Sequence, residues 1–432
     1  MKFQTFNSFS FGCRVNHAER EEIDQQMVRA GYNHTSSNPD VFIINTCSIT
    51  HKAEREARQL IYKTKKNNPD TKIVVTGCSA TYWLKTGTYR QLPVDLLVDN
   101  TNKEYLVKLL VKKMEGRRKK IEARKWKMED RVNDKFINSG RLMVKIQDGC
   151  HRFCSFCIVP HLRGLPKSEK IASIVSRLKT YDNSLSEVIL TAINTEAFGK
   201  DTEESFLDLV KTVLTQTNFS RLSFGSVHPW SVTDEFIDFY KKEQLNGQRL
   251  VKFFHIPLQS GSNRVLALMK RRHTREDMME RVKQINQINP MTFISTDIIV
   301  GYLEETDDDF RDTYDFLEQS PISKFHVFRF SKRAMTAAFY FARRMKEPSA
   351  TTKIVRSKLL RELSEQKYTM FQKSLIGYQS PALFLKKNDG YQEVLLDNQI
   401  PVLITSKFRN EGSIANVYVA DYKKGKLFGK IV

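Results

Sequence analysis

Along the first quarter of the chain, short apolar runs alternate with charged stretches of helical period. Phe3–Phe11 reads as a strand, and Asn16–Ala30 as a charged amphipathic helix stopped at Gly31. Val41–Asn45 is a short apolar strand, followed by a charged helix over Thr50–Lys66. Ile73–Thr76 gives a third strand and Leu96–Val98 a fourth, before a helix from Lys103 to Met114. This β-α-β alternation predicts a parallel sheet with helices on both faces. From about residue 136 to 369 the alternation returns with a longer repeat. Strands are expected at Leu142–Ile146, Val188–Thr191, Leu222–Ser226, Val251–Ile256, Phe293–Val300 and Phe325–Phe330. Helical patterns fall at Ser168–Thr180, Ser205–Gln216, Thr233–Lys242, Arg275–Gln287 and Asp307–Glu318. Six βα repeats are too few to close an eight-stranded barrel. Beyond about residue 370, Ala382–Leu385, Val394–Leu396, Val402–Thr405, Ala415–Ala420 and Leu427–Val432 are short β segments with polar turns. They predict a small barrel.

The 432 residues divide accordingly into an α/β unit (1–113), a connector (114–135), a second βα unit (136–369) and a terminal barrel (370–432). Hydrophobic content of 40% with 28% charged residues describes a soluble globular chain. Met1–Phe11 has no basic segment followed by a long apolar one, and no apolar run approaches bilayer length, so a cytoplasmic location without membrane contact is expected. Lys plus Arg number 70 against 49 Asp plus Glu, a formal charge of +21. Such an excess suits a polyanionic partner, although charge alone does not choose among RNA, DNA and an anionic membrane. The connector, Glu-Gly-Arg-Arg-Lys-Lys and onward, reads as a solvated linker or as a basic arm offering Trp126 to stack on RNA.

The six cysteines change the picture most. Cys150, Cys154 and Cys157 lie in the spacing C-x3-C-x2-C, just after the strand Leu142–Ile146. Three thiolates on one loop can hold three corners of an iron–sulfur cube, leaving one iron open for chemistry, whereas electron-transfer clusters take four cysteines. A zinc knuckle would need a second ligand pair, for which His151 and His161 are the nearby substitutes. A disulfide does not suit a basic chain lacking a signal sequence. Cys13, Cys47 and Cys78 each lie just past a predicted strand, about thirty residues apart, so they converge on the carboxyl edge of one parallel sheet. A lone cysteine is commonly a buried small hydrophobe. Three at equivalent topological positions are better explained as a second three-cysteine cluster site.

The loop Gln147-Asp148-Gly149-Cys150 through Arg163-Gly164, with Phe156 before the last cysteine, resembles the radical S-adenosylmethionine (SAM) enzymes. Phe11-Gly12-Cys13-Arg14-Val15-Asn16, Asn45-Thr46-Cys47-Ser48-Ile49-Thr50 and Gly77-Cys78-Ser79-Ala80 look like the three cysteine motifs of the methylthiotransferase family. That resemblance runs over essentially the whole chain. It implies an α/β chain with an N-terminal parallel-sheet domain, an open (βα)6 radical SAM barrel and an RNA-gripping TRAM-like β-barrel. It also implies two 4Fe–4S clusters, one held by Cys150, Cys154 and Cys157 and chelating SAM, the other an auxiliary cluster held by Cys13, Cys47 and Cys78. One electron from a donor such as flavodoxin or ferredoxin would cleave SAM to methionine and a 5′-deoxyadenosyl radical. The radical would take hydrogen from a C–H bond, sulfur would come from the auxiliary cluster, and a second SAM would supply the methyl. The Gly-Cys-Arg-Val-Asn signature and Pro229-Trp230 look most like the subgroup acting on carbon 2 of N6-threonylcarbamoyladenosine at tRNA position 37, in the anticodon stem-loop. Runner-up subgroups act on isopentenyladenosine or on a ribosomal-protein aspartate. The basic charge favours RNA over a basic protein, and DNA is not expected. A reading of another class is a non-catalytic iron–sulfur RNA-binding protein.

In the family, Ala192-Ile193-Asn194, Ser226-Val227-His228-Pro229-Trp230 and Pro257-Leu258-Gln259-Ser260-Gly261-Ser262 line the SAM pocket. Helix-capping turns explain Ser260 to Ser262 equally well, and no catalytic role beyond the cysteines is assigned. In the terminal barrel, Lys386, Lys387, Lys407, Arg409, Lys423 and Lys424 would suit phosphates. The chain departs from the family pattern at three places. Gly301-Tyr302-Leu303-Glu304-Glu305-Thr306 lacks a Pro-Gly pair, Ala192 replaces a glycine, and Arg333-Ala334-Met335-Thr336 lacks another Pro-Gly. Those loops are therefore open to local change.

Overall fold

Five parallel strands and four helices open the chain, in a computed structural model that describes residues 5–114, 140–181, 184–247, 249–388 and 390–432. The basic connector with Trp126 lies outside the described residues. In chain order the elements are β1 (Thr5–Ser10), α1 (Arg14–Arg29), β2 (Asn33–His34), β3 (Val41–Thr46), α2 (His51–Asn67), β4 (Lys72–Gly77), α3 (Cys78–Thr86), β5 (Leu96–Leu97) and α4 (Leu106–Met114). The sheet order is β2-β1-β3-β4-β5. Strand β3 is apolar on both faces, and both faces are covered. Val41 and Ile43 pack with Ile23 and Met27 of α1 and Leu106 and Leu110 of α4. Ile44 packs on the other face with Ala57 and Ile61 of α2 and Trp83 of α3. The pattern missed β2, which is two polar residues long, and α3, which begins on the cysteine that closes β4.

The second unit contains β6 (Arg141–Asp148), α5 (Val159–Arg163), β7 (Lys167–Ser168), α6 (Ile171–Lys179), β8 (Glu187–Ala192), α7 (Phe206–Gln216), β9 (Arg221–Phe224), α8 (Asp234–Asn246), β10 (Phe253–His255), α9 (Asn263–Leu268), α10 (Arg275–Ile288), β11 (Phe293–Val300), α11 (Asp307–Gln319), β12 (Lys324–Arg329), α12 (Ala337–Phe341) and α13 (Ala350–Ser374). One sheet runs β7-β6-β8-β9 and another β10-β11-β12, with β7 alone antiparallel. A parallel Leu222–Leu250 bridge and a Val227 N to His255 O bond (2.9 Å) carry the curve from β9 to β10. Six parallel strands thus form the expected open barrel. Its outward positions, among them Val144, Leu190, Leu222, Phe254, Ile294 and Ile298, pack against α6, α7, α8 and α10. The alternate positions, including Lys145, Thr191, Ser223, His255, Asp297 and His326, face the interior.

Helix α13 escaped the pattern because its buried face mixes Lys353, Arg356, Ser357, Ser364 and Gln372 with Leu360 and Leu363, which breaks the apolar stripe. The expected boundary at residue 370 falls inside this helix. Beyond it, β13 (Gln379–Asn388), β14 (Tyr391–Leu395), β15 (Pro401–Ile404), β16 (Ile414–Lys423) and β17 (Lys426–Ile431) close a barrel in the order β13-β14-β15-β17-β16. The barrel is welded to the amino ends of the preceding strands. Its core residues Phe384, Leu396 and Val402 are continuous with Val251, Phe253 and Phe293. Arg221 donates to the carbonyls of Leu395 (2.9 Å) and Leu396, Gln399 bridges Arg141 and Glu187, and Lys252 pairs with Asp397 at 2.6 Å.

Two of the loops that lack the family's glycine keep a left-handed backbone. Glu304 sits at φ +59° and Met335 at φ +76°. A non-glycine residue there is strained by about 1–2 kcal/mol. The fold tolerates that strain at both turns.

Candidate active site at a domain seam

Cys13 N-caps α1 at the end of β1, Cys47 follows β3, and Cys78 opens α3 directly after β4. Since β1, β3 and β4 are neighbours, the three thiols share one sheet edge. Backbone crowding there selects the glycines. Gly77 lies at φ +95°, and a Cβ on it would sit 2.3 Å from the Thr46 carbonyl. A Cβ on Gly12, at φ +91°, would meet the Cys47 Cβ at 2.5 Å. The edge is stitched by polar contacts. Asn16 Nδ2 donates to the carbonyls of Phe11 (2.8 Å) and Thr46 (3.1 Å), and Ser79 Oγ donates to that of Cys47 (2.5 Å). Burial and then the neighbouring Cys78 and Cys13 push the Cys47 thiol up to about 12.

Cys150, Cys154 and Cys157 occupy the loop between β6 and α5. Gly149, at φ +72°, allows the turn, because a Cβ there would lie 2.1 Å from the Leu165 carbonyl. The Cys150 amide donates to Gly164 O (3.1 Å), tying the loop's ends together. Ser155 anchors its middle through its amide to Met269 O (3.0 Å) and its hydroxyl to Leu268 O (2.8 Å). Burial and then Cys154 and Cys150 raise the Cys157 thiol to about 12. Donors already point at the sulfurs. Asn194 Nδ2 lies 3.6 Å and the Arg152 amide 3.5 Å from Cys150 Sγ, and Arg271 Nη1 lies 3.8 Å from Cys154 Sγ. Arg152 and Arg271 stack on Trp230 at 4.0 and 4.8 Å. Burial, aided by Arg271, holds His228 and His273 near 3, so both imidazoles beside this stack are neutral. Among the described residues no three His, Cys, Asp or Glu groups close on a single-ion position.

The two thiol sites meet across the seam between the sheet and the barrel. Cys78 packs with Ile158, which precedes α5, and with Leu162 of α5. Asn100 Nδ2 donates to Leu162 O at 3.1 Å and lies 3.7 Å from Cys78 Sγ. Two buried arginines clamp the seam. Arg163, beside the loop triplet, binds Glu19 and Asn16 of α1 together with Asp148. Burial alone would raise the Glu19 pKa, but Arg163, Lys103 and Lys145 hold it well below the usual carboxylate range. Arg333 reaches the other way, to Ser48 Oγ (2.6 Å), His51 Nδ1 (2.8 Å) and Glu54 Oε2 (2.7 Å), stacked on Tyr82.

The radical SAM superfamily profile matches residues 144–317, and that of the uncharacterised protein family UPF0004 matches residues 5–99. Threonylcarbamoyladenosine tRNA methylthiotransferase MtaB of Aquifex aeolicus is 32% identical over 89% of this chain and 97% of its own length. The chain belongs to the radical SAM methylthiotransferase family. A tRNA-2-methylthio-N(6)-dimethylallyladenosine synthase of Orientia tsutsugamushi is 30% identical over 98% of this chain and 97% of its own. Among solved structures, the radical SAM methyltransferase TsrM of Kitasatospora setae, with cobalamin and a 4Fe–4S cluster bound, superposes at TM-score 0.51 and 12% identity, over 76% of this chain and 75% of that one. It shares the fold.

As a radical SAM protein this methylthiotransferase uses a 4Fe–4S cluster and SAM. The donor chemistry of the loop fits: three clustered thiols, with amide and guanidinium N–H groups aimed at their sulfurs. The sequence motifs contain Arg163 and Arg14 but do not reveal their reach, because their partners lie on other elements. The Arg152–Trp230–Arg271 stack, drawn from three separate loops, also lay beyond sequence reasoning. Of the residues suspected to line the SAM pocket, Asn194 and Trp230 do border the thiol loop. Ser262 instead caps α9 through the Val265 amide, as the capping reading holds. Among the described residues no helix is long and apolar enough to cross a membrane.

Proposed function

We propose that this chain methylthiolates carbon 2 of N6-threonylcarbamoyladenosine at position 37 of tRNA. The observation that carries the reading is the meeting of two thiol triplets at one seam, one on a radical SAM loop and one on a sheet edge. In this reading Cys150, Cys154 and Cys157 hold the SAM-chelating 4Fe–4S cluster, and Cys13, Cys47 and Cys78 hold a second. Together with SAM these groups supply hydrogen abstraction at an unactivated C–H bond, sulfur and a methyl. The chain's own residues position and enclose. Asn194, Arg152 and Arg271 orient the loop sulfurs by N–H···S contacts, Trp230 stiffens both arginines, and Arg163 with Arg333 fixes the distance between the two sites. Electrons come from a flavodoxin- or ferredoxin-like donor.

A tRNA partner is supported by the names of the relatives and by the formal charge of +21. Aromatic and cationic side chains are also exposed near the thiol loop. Phe153 stacks edge-on with His161, Phe339 with Tyr340, and Arg343 lies over Tyr340. Bases stack on such surfaces while cations meet phosphates. The terminal barrel, with Lys386, Lys387, Lys407, Arg409, Lys423 and Lys424, extends the RNA grip. The units are taken as 1–113, 136–369 and 370–432, with α13 shared across the last boundary.

The test is mass spectrometry of tRNA nucleosides from strains with and without the protein. Loss of the 2-methylthio derivative, with accumulation of N6-threonylcarbamoyladenosine, is expected. The Orientia relative supports a second reading, in which isopentenyladenosine accumulates instead.

A further inference from the structure

Arg14 follows Cys13 directly, yet its side chain leaves the sheet edge and enters the barrel. Its Nη1 donates to the Phe224 carbonyl of β9 at 2.8 Å, and its guanidinium carbon lies 5.4 Å from the Phe253 ring of β10. It therefore spans from the N-terminal thiol site into the barrel interior. Several other buried or half-buried arginines hold two or more acceptors each. Arg163 holds Glu19, Asp148 and Asn16, Arg356 holds Glu305 and Asp307, and Arg249 takes the carbonyls of Leu214, Thr217 and Phe219. Among the described residues, the one hydrogen-bond acceptor given to Arg14 is the Phe224 carbonyl. Glu187 draws on it from a distance, but that carboxylate is committed to Arg141, Ser223 and Gln399. Burial lowers the Arg14 pKa, while a guanidinium stays charged in proteins. The result is a half-buried cation with unspent donors in a planar fork, a geometry matched by a carboxylate.

The substrate reading above supplies such a group. Threonine joined through its amine to the carbamoyl keeps a free carboxylate. Carbon 6, which bears N6, and carbon 2 flank the same ring nitrogen, so the arm on N6 leaves the base beside the edge where the chemistry occurs. We propose that Arg14 is a specificity-determining residue, its guanidinium receiving the carboxylate of the threonylcarbamoyl arm and so placing carbon 2 at the seam. This rests on the substrate reading. An isopentenyl arm offers Arg14 only a hydrocarbon and leaves the charge unmatched.

The test uses the full reconstituted protein and two anticodon stem-loop RNAs, one carrying N6-threonylcarbamoyladenosine and one carrying its primary amide. The readout is the acid-to-amide ratio of kcat/KM for methylthio product, by mass spectrometry. The wild type should prefer the acid by about 10- to 100-fold, the range of a charge-assisted hydrogen bond. Arg14→Gln should bring the ratio within about threefold of unity, mainly by losing the acid, and Arg14→Lys should restore part of it. A merely structural role would depress both substrates equally and leave the ratio unchanged. If Arg14→Gln fails to fold, wild-type preference alone decides, and equal use of acid and amide overturns the proposal. Turnover of the acid with a ratio unmoved by Arg14→Gln overturns the proposal and leaves the substrate reading intact. Turnover only of a stem-loop carrying isopentenyladenosine overturns both.

Discussion

The loop triplet and the sheet-edge triplet present the same three thiols but are assembled at different levels of the fold. Cys150, Cys154 and Cys157 share one loop, turned at a left-handed glycine, tied end to end and seated by Ser155 on Leu268 and Met269. Cys13, Cys47 and Cys78 belong to separate strand ends and come together only when β1, β3 and β4 are in register. The first site is a local structure and the second a tertiary one. Anything that loosens the sheet or its seat on the barrel should therefore injure the second site before the first.

The largest test of that contrast removes each triplet in turn. Reconstituted protein is expected to bind about eight irons. Replacing Cys150, Cys154 and Cys157 by Ala should halve the iron and abolish 5′-deoxyadenosine formation. Replacing Cys13, Cys47 and Cys78 should also halve the iron, yet spare SAM cleavage while abolishing methylthiolation. Loss of folding in the second variant would mark those cysteines as structural.

A subtler break is Arg163→Leu, which removes the buried cation that joins Glu19, Asp148 and Asn16 and leaves Glu19 with Lys103 and Lys145 as its cations. It should cost about 3–5 kcal/mol in chemical denaturation. In folded protein at low temperature, methylthiolation should fall further than SAM cleavage, and equal losses would count against the seam as the coupling element.

Acidity should sharpen the same contrast through α1, where Glu19 is shifted one way and Glu21, with Glu22 and Asp24, the other. Glu19 is depressed, so its contribution is present above the unfolded carboxylate pKa of about 4.3 and fades as pH falls toward the folded value. Burial raises Glu21 to about 7 where it accepts from the Met143 amide on β6. That raised pKa favours the folded state at low pH, and the advantage is lost as pH rises from near 4.5 through 7. Glu21→Gln should flatten the decline of stability between those values, read from denaturant midpoints across pH. An unchanged slope would remove Glu21 from the interface.

The smallest effect concerns the loop from Arg333 into α12, which touches Ser48 on one side and Ser155 on the other. Met335→Gly should stabilise the protein by about 0.5–1 kcal/mol by relieving the left-handed strain, the gain being reduced by glycine's greater freedom when unfolded. A lowered melting temperature would show that the Met335 side chain contributes more than the strain costs.

The same division of levels explains what could be read from the sequence. The loop spacing announces its site directly. The sheet-edge site was legible because strand periodicity placed each cysteine just past a strand and topology did the rest. Both helical faces of the first sheet followed from alternating apolar runs, whereas the open barrel and the terminal barrel rested on the family resemblance as well, because six repeats and five short strands do not by themselves fix how a sheet closes. Helix α13 did not, since buried Arg356 and Lys353 find partners in Glu305 and Glu347 that no local pattern reveals. The arginine clamps were illegible for the same reason. Arg333 lies hundreds of residues from Ser48 and Glu54, and a charged residue reads as solvent-exposed until its partner is known.

The attachment of the terminal barrel to the amino ends of the radical SAM strands turns the protein into a caliper. The loop triplet lies at the opposite, carboxyl end of β6. Strands β6 and β11 are each 8 residues long, so a rise of about 3.3 Å per residue separates the two ends by roughly 25 Å. Because Arg221, Gln399 and Asp397 hold the barrel rigidly, that span is not adjustable by a swinging linker. Under the proposed reading, an RNA gripped at one end and modified at the other would have to bridge it with its own length, so selection of the modified nucleotide would be partly a measurement of distance.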